Sequence, residues 1–460
     1  MLNAKVNMLF YFFSIGVAFY SRKIFLEYLG ADFLGLTGTL GSILQYLNIA
    51  ELGVGTAIAF NLYKPLHDKD YEKMTEIMSL FKFLYKKIGV YIAIVAVLIS
   101  LFFPIIFSNT GFEYALIYYA FFSLLFSSLV GYFVNYRTIL LSADQKEYHL
   151  TKYTETTRIV TILIQMFLLY KTRNLYLYLS INILLTIVNS YIINLKLDKE
   201  YPWLKTSASN GKKLKSTYPN IFKSVKQVFI HKIKDTVIHH SDQLFIFAFE
   251  SLKMIAYYGN YTLVATRVMQ LFISTLNSFG AGVGNLISEG DKDKIYKVFW
   301  ELMAIRYFIT GIIVYAMYHL LTPFIILWLG EEYLLANNIL ILILVHVFIS
   351  QTRGVVDMYN NAYGLYGDVW AAWTELGINL SVTLIAGYYL GLEGILIGKV
   401  LSIFIIIVLW KPLYLFNNGL KLSIYSYWKG TIKYYLVFVI AILISNYVKN
   451  FITVDPSLNF

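Results

Sequence analysis

Thirteen long apolar segments constrain the fold of this chain more than any other feature of its sequence. A transmembrane helix needs about 20 consecutive, mostly apolar residues. The 460 residues are 58% hydrophobic and only 14% charged, which is unusual for a soluble protein of this size. The sequence therefore predicts an all-α, polytopic integral membrane protein. The predicted spans are 7–28, 36–62, 84–107, 114–141, 155–170, 174–195, 228–249, 255–286, 300–329, 338–364, 369–390, 392–415 and 431–451.

The two halves of the chain resemble each other. The stretch 45–78 contains an apolar, glycine-rich run, then a charged turn with Asp68, then an amphipathic run. The same succession returns at 280–302, with Asp291 in the charged turn. A repeat of this length indicates a tandem duplication rather than a solenoid. Because six helices per half leave both halves in the same orientation, we expect parallel repeats with a substrate path at their interface.

The repeat and the loop charges predict a domain organisation and a topology. The loops on one side of the membrane carry most of the Lys and Arg residues, and the opposite set has only Lys171, Arg173 and Lys253. By the positive-inside rule, the N-terminus lies in the cytoplasm. The net charge of +11 therefore serves topology and lipid headgroups rather than nucleic acid. The predicted parts are an N-terminal six-helix lobe (1–195), a basic cytoplasmic linker (196–227), a C-terminal six-helix lobe (228–415) and an additional helix with a tail (416–460).

Polar side chains inside the predicted spans are the candidate functional residues. Each is costly in a bilayer unless it faces a cavity or a partner. In predicted helix eight, Arg267, Gln270 and Asn277 recur at helical spacing on one face. Helices one, two, seven and ten add further polar positions, and together they indicate a water-filled lumen. The candidate substrate-binding residues are Arg22, Glu51, Lys234, Asp235, His239, Arg267, Gln270, Asn277, Arg353 and Asp357.

Several of these candidates have a second interpretation. Arg353 and Asp357 lie four residues apart, so an ion pair between them explains the spacing as well as a substrate contact does. The histidines and aspartates of helix seven have metal-compatible spacing, but a lumen wall or a proton relay is the favoured interpretation, and no metal site is predicted. For Glu51, a lumen ligand, a coupling carboxylate and a cross-helix partner all stay open.

The depths of the arginines favour an anionic substrate. At about 1.5 Å per residue, Arg267 comes near the membrane midplane, Arg353 toward the cytoplasm and Arg22 toward the outer leaflet. The planar fork of arginine suits phosphate groups. No nucleotide-hydrolysis signature is present, the absence of cysteine excludes cysteine nucleophiles, and the short external loops leave no room for a catalytic domain. The prediction is a transporter without a cofactor, not an enzyme.

Four segments of the sequence resemble a known family. They read SRKIFLEYLGADFLGLTG (21–38), AELGVGTAIAFNLYKPLHDKDYEKM (50–74), LLSADQKEY (140–148) and SDQLFIFAFESLKMIAYYGNYTL (241–263). In order and spacing they are similar to the polysaccharide transporter family of the multidrug/oligosaccharidyl-lipid/polysaccharide (MOP) exporter superfamily. This family contains the bacterial Wzx-type flippases for O-antigen or capsule repeat units. The resemblance spans predicted helices one to twelve.

The resemblance implies a two-lobed, MATE-like bundle with a central cavity lined by helices one, two, seven and eight. The implied activity is alternating access that carries undecaprenyl-pyrophosphate-linked oligosaccharide across the bacterial inner membrane. Arg22 matches the arginine that such flippases carry late in helix one, and Glu51 matches the acidic residue of their Glu-Leu-Gly motif. The expected partners are this lipid-linked substrate and membrane lipids, with H⁺ or Na⁺ as candidate coupling ions and a polysaccharide polymerase as a candidate protein partner.

Two other functions compete with this prediction. A multidrug or cation-coupled antiporter of the same fold comes second, because the net cationic lumen suits a pyrophosphate better than a cationic drug. A membrane glycan polymerase or ligase comes third, since it would need a larger external part. The peptidoglycan-precursor flippases of the superfamily have fourteen helices, the last two forming a groove for the lipid tail. This sequence has one extra helix and departs from that pattern.

Overall fold

The computed structural model describes residues 2–51, 53–208, 211–277 and 279–449, and all regular elements in this part of the chain are helices. Short 3-10 turns cover Asn48–Glu51, Asn135–Arg137 and Glu331–Tyr333, and π-helical turns cover Phe404–Trp410 and Phe416–Leu420. The α-helices are α1 (Leu2–Leu47), α2 (Val54–Asp68), α3 (Tyr71–Ser100), α4 (Phe103–Ile106), α5 (Tyr114–Phe133), α6 (Thr138–Ala143), α7 (Glu147–Thr172), α8 (Leu175–Glu200), α9 (Gly211–Thr217), α10 (Pro219–Phe249), α11 (Leu252–Asn277), α12 (Gly280–Glu289), α13 (Lys292–Trp328), α14 (Asn337–Thr352), α15 (Gly354–Ala362), α16 (Val369–Ile403), α17 (Lys411–Leu415) and α18 (Ile424–Lys449).

Each of the thirteen predicted segments contains helix. Two helices each continue through a bend and so combine parts of two predicted spans. The bend lies at Gly30 (φ 78°) in α1 and at Gly391 (φ 56°) in α16. Glycine adopts such positive φ angles without the penalty of a side chain. By length and apolarity, seven helices of the described chain could cross a membrane, and the broken pair Phe13–Glu51 and Val54–Asp68 would make an eighth. Polar residues interrupt the apolar runs of α7, α10 and α11, which fall outside this count.

Several helices begin about two to four turns earlier than the apolar segments predict. The structure starts α3 at Tyr71, α7 at Glu147, α10 at Pro219 and α13 at Lys292. The helical backbone hydrogen bonds extend beyond the apolar side chains, into the polar residues before them. Hydropathy therefore locates the membrane span but not the first residue of the helix. For the same reason the linker predicted at 196–227 is largely helical, since α8, α9 and α10 cover most of it.

The repeated charged turns start two helices in the same way. Asp70 caps α3 by accepting a hydrogen bond from the N–H of Lys73, and Asp291 caps α13 by accepting one from the N–H of Lys294, both at 3.0 Å. Aspartate is among the preferred residues at a helix N-cap. The structural equivalent of Asp291 is therefore Asp70, two residues from the Asp68 that the sequence comparison paired with it.

Contacts divide the chain into an N-terminal unit, Met1–Ala256, and a C-terminal unit, Tyr257–Phe460. Helix α10 belongs to the N-terminal unit. Ser42 Oγ of α1 donates to Gln243 Oε1 of α10 at 2.7 Å, and Tyr46 OH donates to the Val237 carbonyl at 3.1 Å. The repeat had assigned this helix to the C-terminal lobe, and that division into lobes stays a prediction.

A loop aspartate in the N-terminal unit fixes the end of α8. Asp144 is the residue after α6. Its Oδ2 accepts hydrogen bonds from Tyr201 OH and from Lys146 Nζ, each at 2.8 Å. Lys146 also pairs with Glu200 at 2.7 Å. Burial disfavours the charged form of Lys146, but its hydrogen bonds to the two carboxylates raise its pKa above the usual value. The loop after α6 is thereby tied to the last turn of α8.

The C-terminal unit contains an equivalent contact. Asp368, the residue before α16, accepts a hydrogen bond from Trp410 Nε1 at 3.0 Å and an ion pair from Lys411 Nζ at 2.8 Å. Its side chain is only 5% exposed. Asp144 and Asp368 are separated by nearly the same length of chain as the repeated turns with Asp68 and Asp291, and both bond an aromatic residue and a lysine. This shared arrangement supports the predicted duplication.

The linker is part of the core of the N-terminal unit. Leu204, Leu214 and Ile221 are buried in one apolar cluster with Phe81 of α3 and Leu140 of α6. Gly211 lies directly against the ring of Phe83. The basic linker therefore packs against the helices that carry the polar cavity described below.

Candidate functional site

The first candidate site lies in the N-terminal unit, at the break between α1 and α2. The helix is interrupted by the turn Asn48–Glu51, and Gly53 follows with a φ of 89°. The segments before and after the break meet at 43°. A helix end leaves backbone groups without helical partners, and here the chain also turns two polar side chains, Asn48 and Glu51, toward neighbouring helices.

Both side chains are held by hydroxyl groups. Glu51 Oε1 accepts a hydrogen bond from Tyr85 OH of α3 at 2.6 Å. Asn48 Oδ1 accepts from Ser128 Oγ at 3.2 Å and from Tyr132 OH at 3.0 Å, both on α5. Of the three interpretations of Glu51, the cross-helix partner is the one with a contact in this structure. A role as ligand or coupling group stays a prediction.

A cavity of about 320 Å³ surrounds this carboxylate. It carries one carboxylate, an amide, three tyrosine rings and the hydroxyls of serine and threonine. Such a wall can donate and accept hydrogen bonds and can stack on a ring, so it suits a hydroxylated or cationic ligand. The lining residues are Glu51, Phe81, Tyr85, Ser128, Gly131, Tyr132, Asn135, Tyr136, Thr138, Ile139 and Ser142.

Arg22 lies on α1 in the same unit and has aromatic surroundings. It interacts with the phenol of Tyr178 on α8. The ring of Tyr178 packs edge-on against Phe25, with centroids 5.3 Å apart. The structure thus gives this predicted site residue a neighbour that hydropathy and spacing could not identify.

Four predicted site residues have side chains outside the described part of the structure. Lys234, Asp235 and His239 lie on α10, and Asn277 is the last residue of α11. Their assignment to the lumen stays a prediction.

The polar stripe on α11 continues in the C-terminal unit. Asn260 is completely buried, Arg267 is partly buried and Gln270 is exposed. Exposure therefore increases along the stripe toward the end of the helix. That this face borders a water-filled space stays a prediction.

The remaining predicted pair forms an ion pair. Arg353 Nε lies 3.1 Å from Asp357 Oδ2, and the two side chains are 37% and 36% exposed. The i,i+4 spacing had left an ion pair and a substrate contact open, and the structure contains the ion pair. At this exposure such a pair contributes about 1 kcal/mol or less to stability.

The sequence analysis missed a buried arginine beneath this pair. Arg306 of α13 is 4% exposed, and its Nη1 donates to the Gln351 carbonyl at 3.1 Å. The guanidinium lies on Gly354, where a Cβ atom would come within 1.9 Å of Nη1. It also interacts with Asp357. The C-terminal unit therefore places two arginines around one carboxylate.

Two more ionisable residues were missed in the same way. Glu375 and Lys399 of α16 are 4% and 8% exposed. The candidate residues were chosen from stripes of several polar residues at helical spacing, whereas Glu375 and Lys399 are single ionisable residues in apolar runs. A scan for every ionisable residue inside a predicted span would have found them, as it would have found Arg306.

The sequence matches no protein-family model, and a search of the curated proteins gives no match. Solved structures do share the fold. A lipid II flippase MurJ in an inward closed conformation gives a TM-score of 0.66 at 15% identity, covering 95% of this chain and 92% of that chain. An inward-facing multidrug resistance MATE family transporter of the MOP superfamily gives 0.62 at 14% identity, covering 91% and 98%.

A third structure with this fold is a MOP superfamily transporter from Pyrococcus furiosus, described as having a binding pocket of reverse polarity. It gives a TM-score of 0.58 at 16% identity and covers 92% of this chain and 96% of its own. The prediction of an all-α, MATE-like fold is confirmed by these matches over nearly the whole length of each chain. This protein is therefore a multi-pass membrane protein with the fold of the MATE transporters and of the MurJ flippase.

Proposed function

We propose that this protein is a flippase that moves undecaprenyl-pyrophosphate-linked oligosaccharide repeat units across the bacterial inner membrane by alternating access. The observation that carries the proposal is the end-to-end similarity of fold to the lipid II flippase MurJ. The product would serve O-antigen, capsule or exopolysaccharide synthesis. H⁺ or Na⁺ as coupling ion and a polysaccharide polymerase as partner belong to the same proposal.

The arginines support an anionic head group as the transported moiety. Arg22 and Arg267 lie within the predicted spans 7–28 and 255–286, at different expected depths. Each can bond two phosphate oxygens through its planar guanidinium. A diphosphate would meet these cations in succession as it crosses the membrane.

The hydroxyl-rich cavity beside Glu51 supports a glycan as the second moiety. Sugar hydroxyls need paired donors and acceptors, and sugar rings stack on aromatic faces. The cavity offers both through Tyr85, Tyr132 and the oxygens around them. Under this proposal the arginines would bind the diphosphate and the cavity beside Glu51 would bind the sugars.

A cation-coupled multidrug antiporter is the second candidate. It is favoured by the similarity of fold to the MATE transporter and by the carboxylate of Glu51 within an oxygen-lined cavity. A carboxylate surrounded by hydroxyls can hold a proton or a hard cation. The two candidates differ in substrate charge, so transport assays separate them.

The test is the rate at which a fluorescent undecaprenyl-pyrophosphate oligosaccharide becomes accessible on the far side of proteoliposomes. We expect transport by the wild type and a fall of about tenfold or more for Arg267→Ala, because losing one charge-assisted contact costs about 1.5–3 kcal/mol. Lys253→Ala on the same helix is the matched control. Lys253 is 61% exposed and pairs only loosely with Asp32, so its loss should leave transport unchanged.

Each alternative outcome has a definite meaning. Equal losses in Arg267→Ala and Lys253→Ala would remove the arginine from the substrate path. Absence of lipid transport by the wild type, together with ethidium uptake driven by a proton or sodium gradient, would replace the flippase with the antiporter.

A further inference from the structure

An apolar groove of about 500 Å³ runs between α5 and α8 in the N-terminal unit. Both helices are long and apolar enough to cross a membrane. The groove walls are open, since Phe133 is 41%, Ile187 is 47% and Tyr191 is 66% exposed. On two such helices, an exposed apolar groove is expected to face the hydrocarbon of the bilayer. Its lining residues are Phe126, Leu129, Val130, Phe133, Val134, Ile187, Ser190, Tyr191 and Asn194.

The groove ends at a polar cluster just beyond the last residue of α5. Ser190 Oγ and Asn194 Nδ2 both donate to Asn135 Oδ1, at 2.9 and 3.2 Å. Arg137 Nη2 donates to Asn194 Oδ1 at 2.6 Å, and its Nη1 pairs with Asp198 at 2.7 Å. The lining ends in the polar side chains of Ser190 and Asn194, and the charged side chains of Arg137 and Asp198 follow within about one helical turn.

A basic side chain lies at this end of the groove, and a second lies on the neighbouring helix α3. The contacts of Arg137 use two of the five N–H groups of its guanidinium, which leaves donors for a further acceptor. Lys86 is exposed on α3 one turn before Gly89, and Phe133 of the groove wall packs directly against Gly89. Arg137, which pairs with Asp198, thus lies at the polar end, and Lys86 lies on the helix that packs against Phe133 of the groove wall.

We propose that this groove binds one anionic phospholipid, with an acyl chain along the groove and the phosphate headgroup at Arg137 and Lys86. Basic pockets between transmembrane helices recognise anionic headgroups in this way. A partner helix fits less well, because a helix about 10 Å wide fills roughly 400 Å³ per turn and the groove would hold little more than one turn. An extended acyl chain can follow its whole length.

The proposed lipid is a structural lipid that stays bound to the protein, not the transported substrate. It lies in the groove between α5 and α8, whereas the cavity beside Glu51 lies between α3, α5, α6 and the break between α1 and α2, and the two linings share no residue. In the proposed topology the polar end faces the cytoplasmic leaflet. Lipid binding in this groove can therefore be tested independently of flippase activity.

Native mass spectrometry of the full-length protein in detergent tests this site. The probes are palmitoyl-oleoyl phosphatidylglycerol and phosphatidylcholine with the same chains. The wild type should retain one phosphatidylglycerol at a concentration about tenfold lower than it needs for phosphatidylcholine. Ile187→Trp fills the groove and should lower the occupancy of both lipids about tenfold. Ile94→Trp, at a position of α3 that is 55% exposed and outside the groove, should change neither.

Variants of Arg137 separate the headgroup from the chain. Arg137→Gln should abolish the preference for phosphatidylglycerol while phosphatidylcholine still binds, and Arg137→Lys should keep the preference. Equal binding of the two lipids by the wild type would overturn the headgroup assignment, and equal losses in Ile187→Trp and Ile94→Trp would overturn the groove. If Arg137→Gln does not fold, the comparison of the two lipids on the wild type still tests the headgroup assignment. The comparison of Ile187→Trp with Ile94→Trp still tests the groove.

Discussion

The hydroxyl of Tyr85 donates a hydrogen bond to the Glu51 carboxylate at the break between α1 and α2. Its removal should lower the stability of the fold measurably. Tyr85→Phe deletes the 2.6 Å hydrogen bond and leaves a half-buried carboxylate with one donor fewer. We expect a loss of about 1.5–3 kcal/mol in the free energy of unfolding, as for other hydrogen bonds to charged groups. The thermal unfolding midpoint of the purified protein in detergent measures it.

A tyrosine on the same helix provides the control. Tyr91 of α3 is 57% exposed, so Tyr91→Phe should leave the midpoint within experimental scatter of the wild type. A midpoint for Tyr85→Phe as high as that of Tyr91→Phe would show that the carboxylate does not depend on this donor.

Gly354 is required by the position of the Arg306 guanidinium. In Gly354→Ala the new methyl group would lie 1.9 Å from Nη1, so the buried guanidinium must move away from the Gln351 carbonyl. Overpacking of this kind typically costs about 1–3 kcal/mol. Thermal unfolding should therefore show a lower midpoint for Gly354→Ala than for the wild type.

A glycine without neighbours controls for the helix propensity of alanine. A Cβ atom at Gly282 of α12 meets nothing within 4 Å, so Gly282→Ala should be neutral or slightly stabilising. If both alanine variants were neutral, Arg306 would have room to shift, and the glycine would not be needed for packing.

These contacts show which parts of the candidate site can be inferred from sequence. The Arg353 and Asp357 pair was foreseeable because Asp357 lies in the first turn of α15 and Arg353 is the residue before it, so that helical spacing determines their distance. The donor to Glu51 comes from another helix, and the acceptor of Arg306 is a backbone carbonyl of α14. Partners of this kind depend on tertiary packing, which periodicity does not encode.

At the scale of helices, hydropathy located the spans but not their ends or their breaks. The apolar segment 36–62 reads as one helix, yet the structure breaks it at Asn48–Glu51. A 3-10 turn and a glycine are too short to disturb a window of about 20 residues. The linker at 196–227 was read as a loop because it is basic, although Leu204 and Leu214 anchor it in the core.

The contact between Asp368 and the segment after α16 is a testable feature at this scale. Asp368→Asn keeps the shape of the side chain but removes the charge that pairs with Lys411. Breaking a buried pair costs about 3–5 kcal/mol. Because the Lys411 side chain is 26% exposed, we expect a smaller loss of about 2–3 kcal/mol, measured as a lower thermal midpoint.

An exposed ion pair of the same unit is the matched control. Glu289 and Lys294 pair at 2.7 Å with both side chains more than half exposed, so Glu289→Gln should not change the midpoint. Equal effects of the two substitutions would mean that Asp368 contributes no more than a solvated surface charge.

At the scale of the whole molecule, the repeat and the loop charges together predict on which side of the membrane each connection lies. The linker carries Lys213 and Lys215 and is assigned to the cytoplasm by the positive-inside rule. The connection between α13 and α14, with Glu331, follows three spans later and is assigned to the outside. The chain contains no cysteine, so a single introduced cysteine reports on its own position.

Lys213→Cys and Glu331→Cys test this topology directly, since both positions are exposed. In right-side-out vesicles, a membrane-impermeant maleimide should label Glu331→Cys at once and Lys213→Cys only after permeabilisation, because the reagent cannot cross the bilayer. The cysteine-free wild type gives the background. Labelling of both positions from outside would contradict an odd number of spans between them. The reverse pattern would invert the whole molecule and place the proposed phospholipid site in the opposite leaflet.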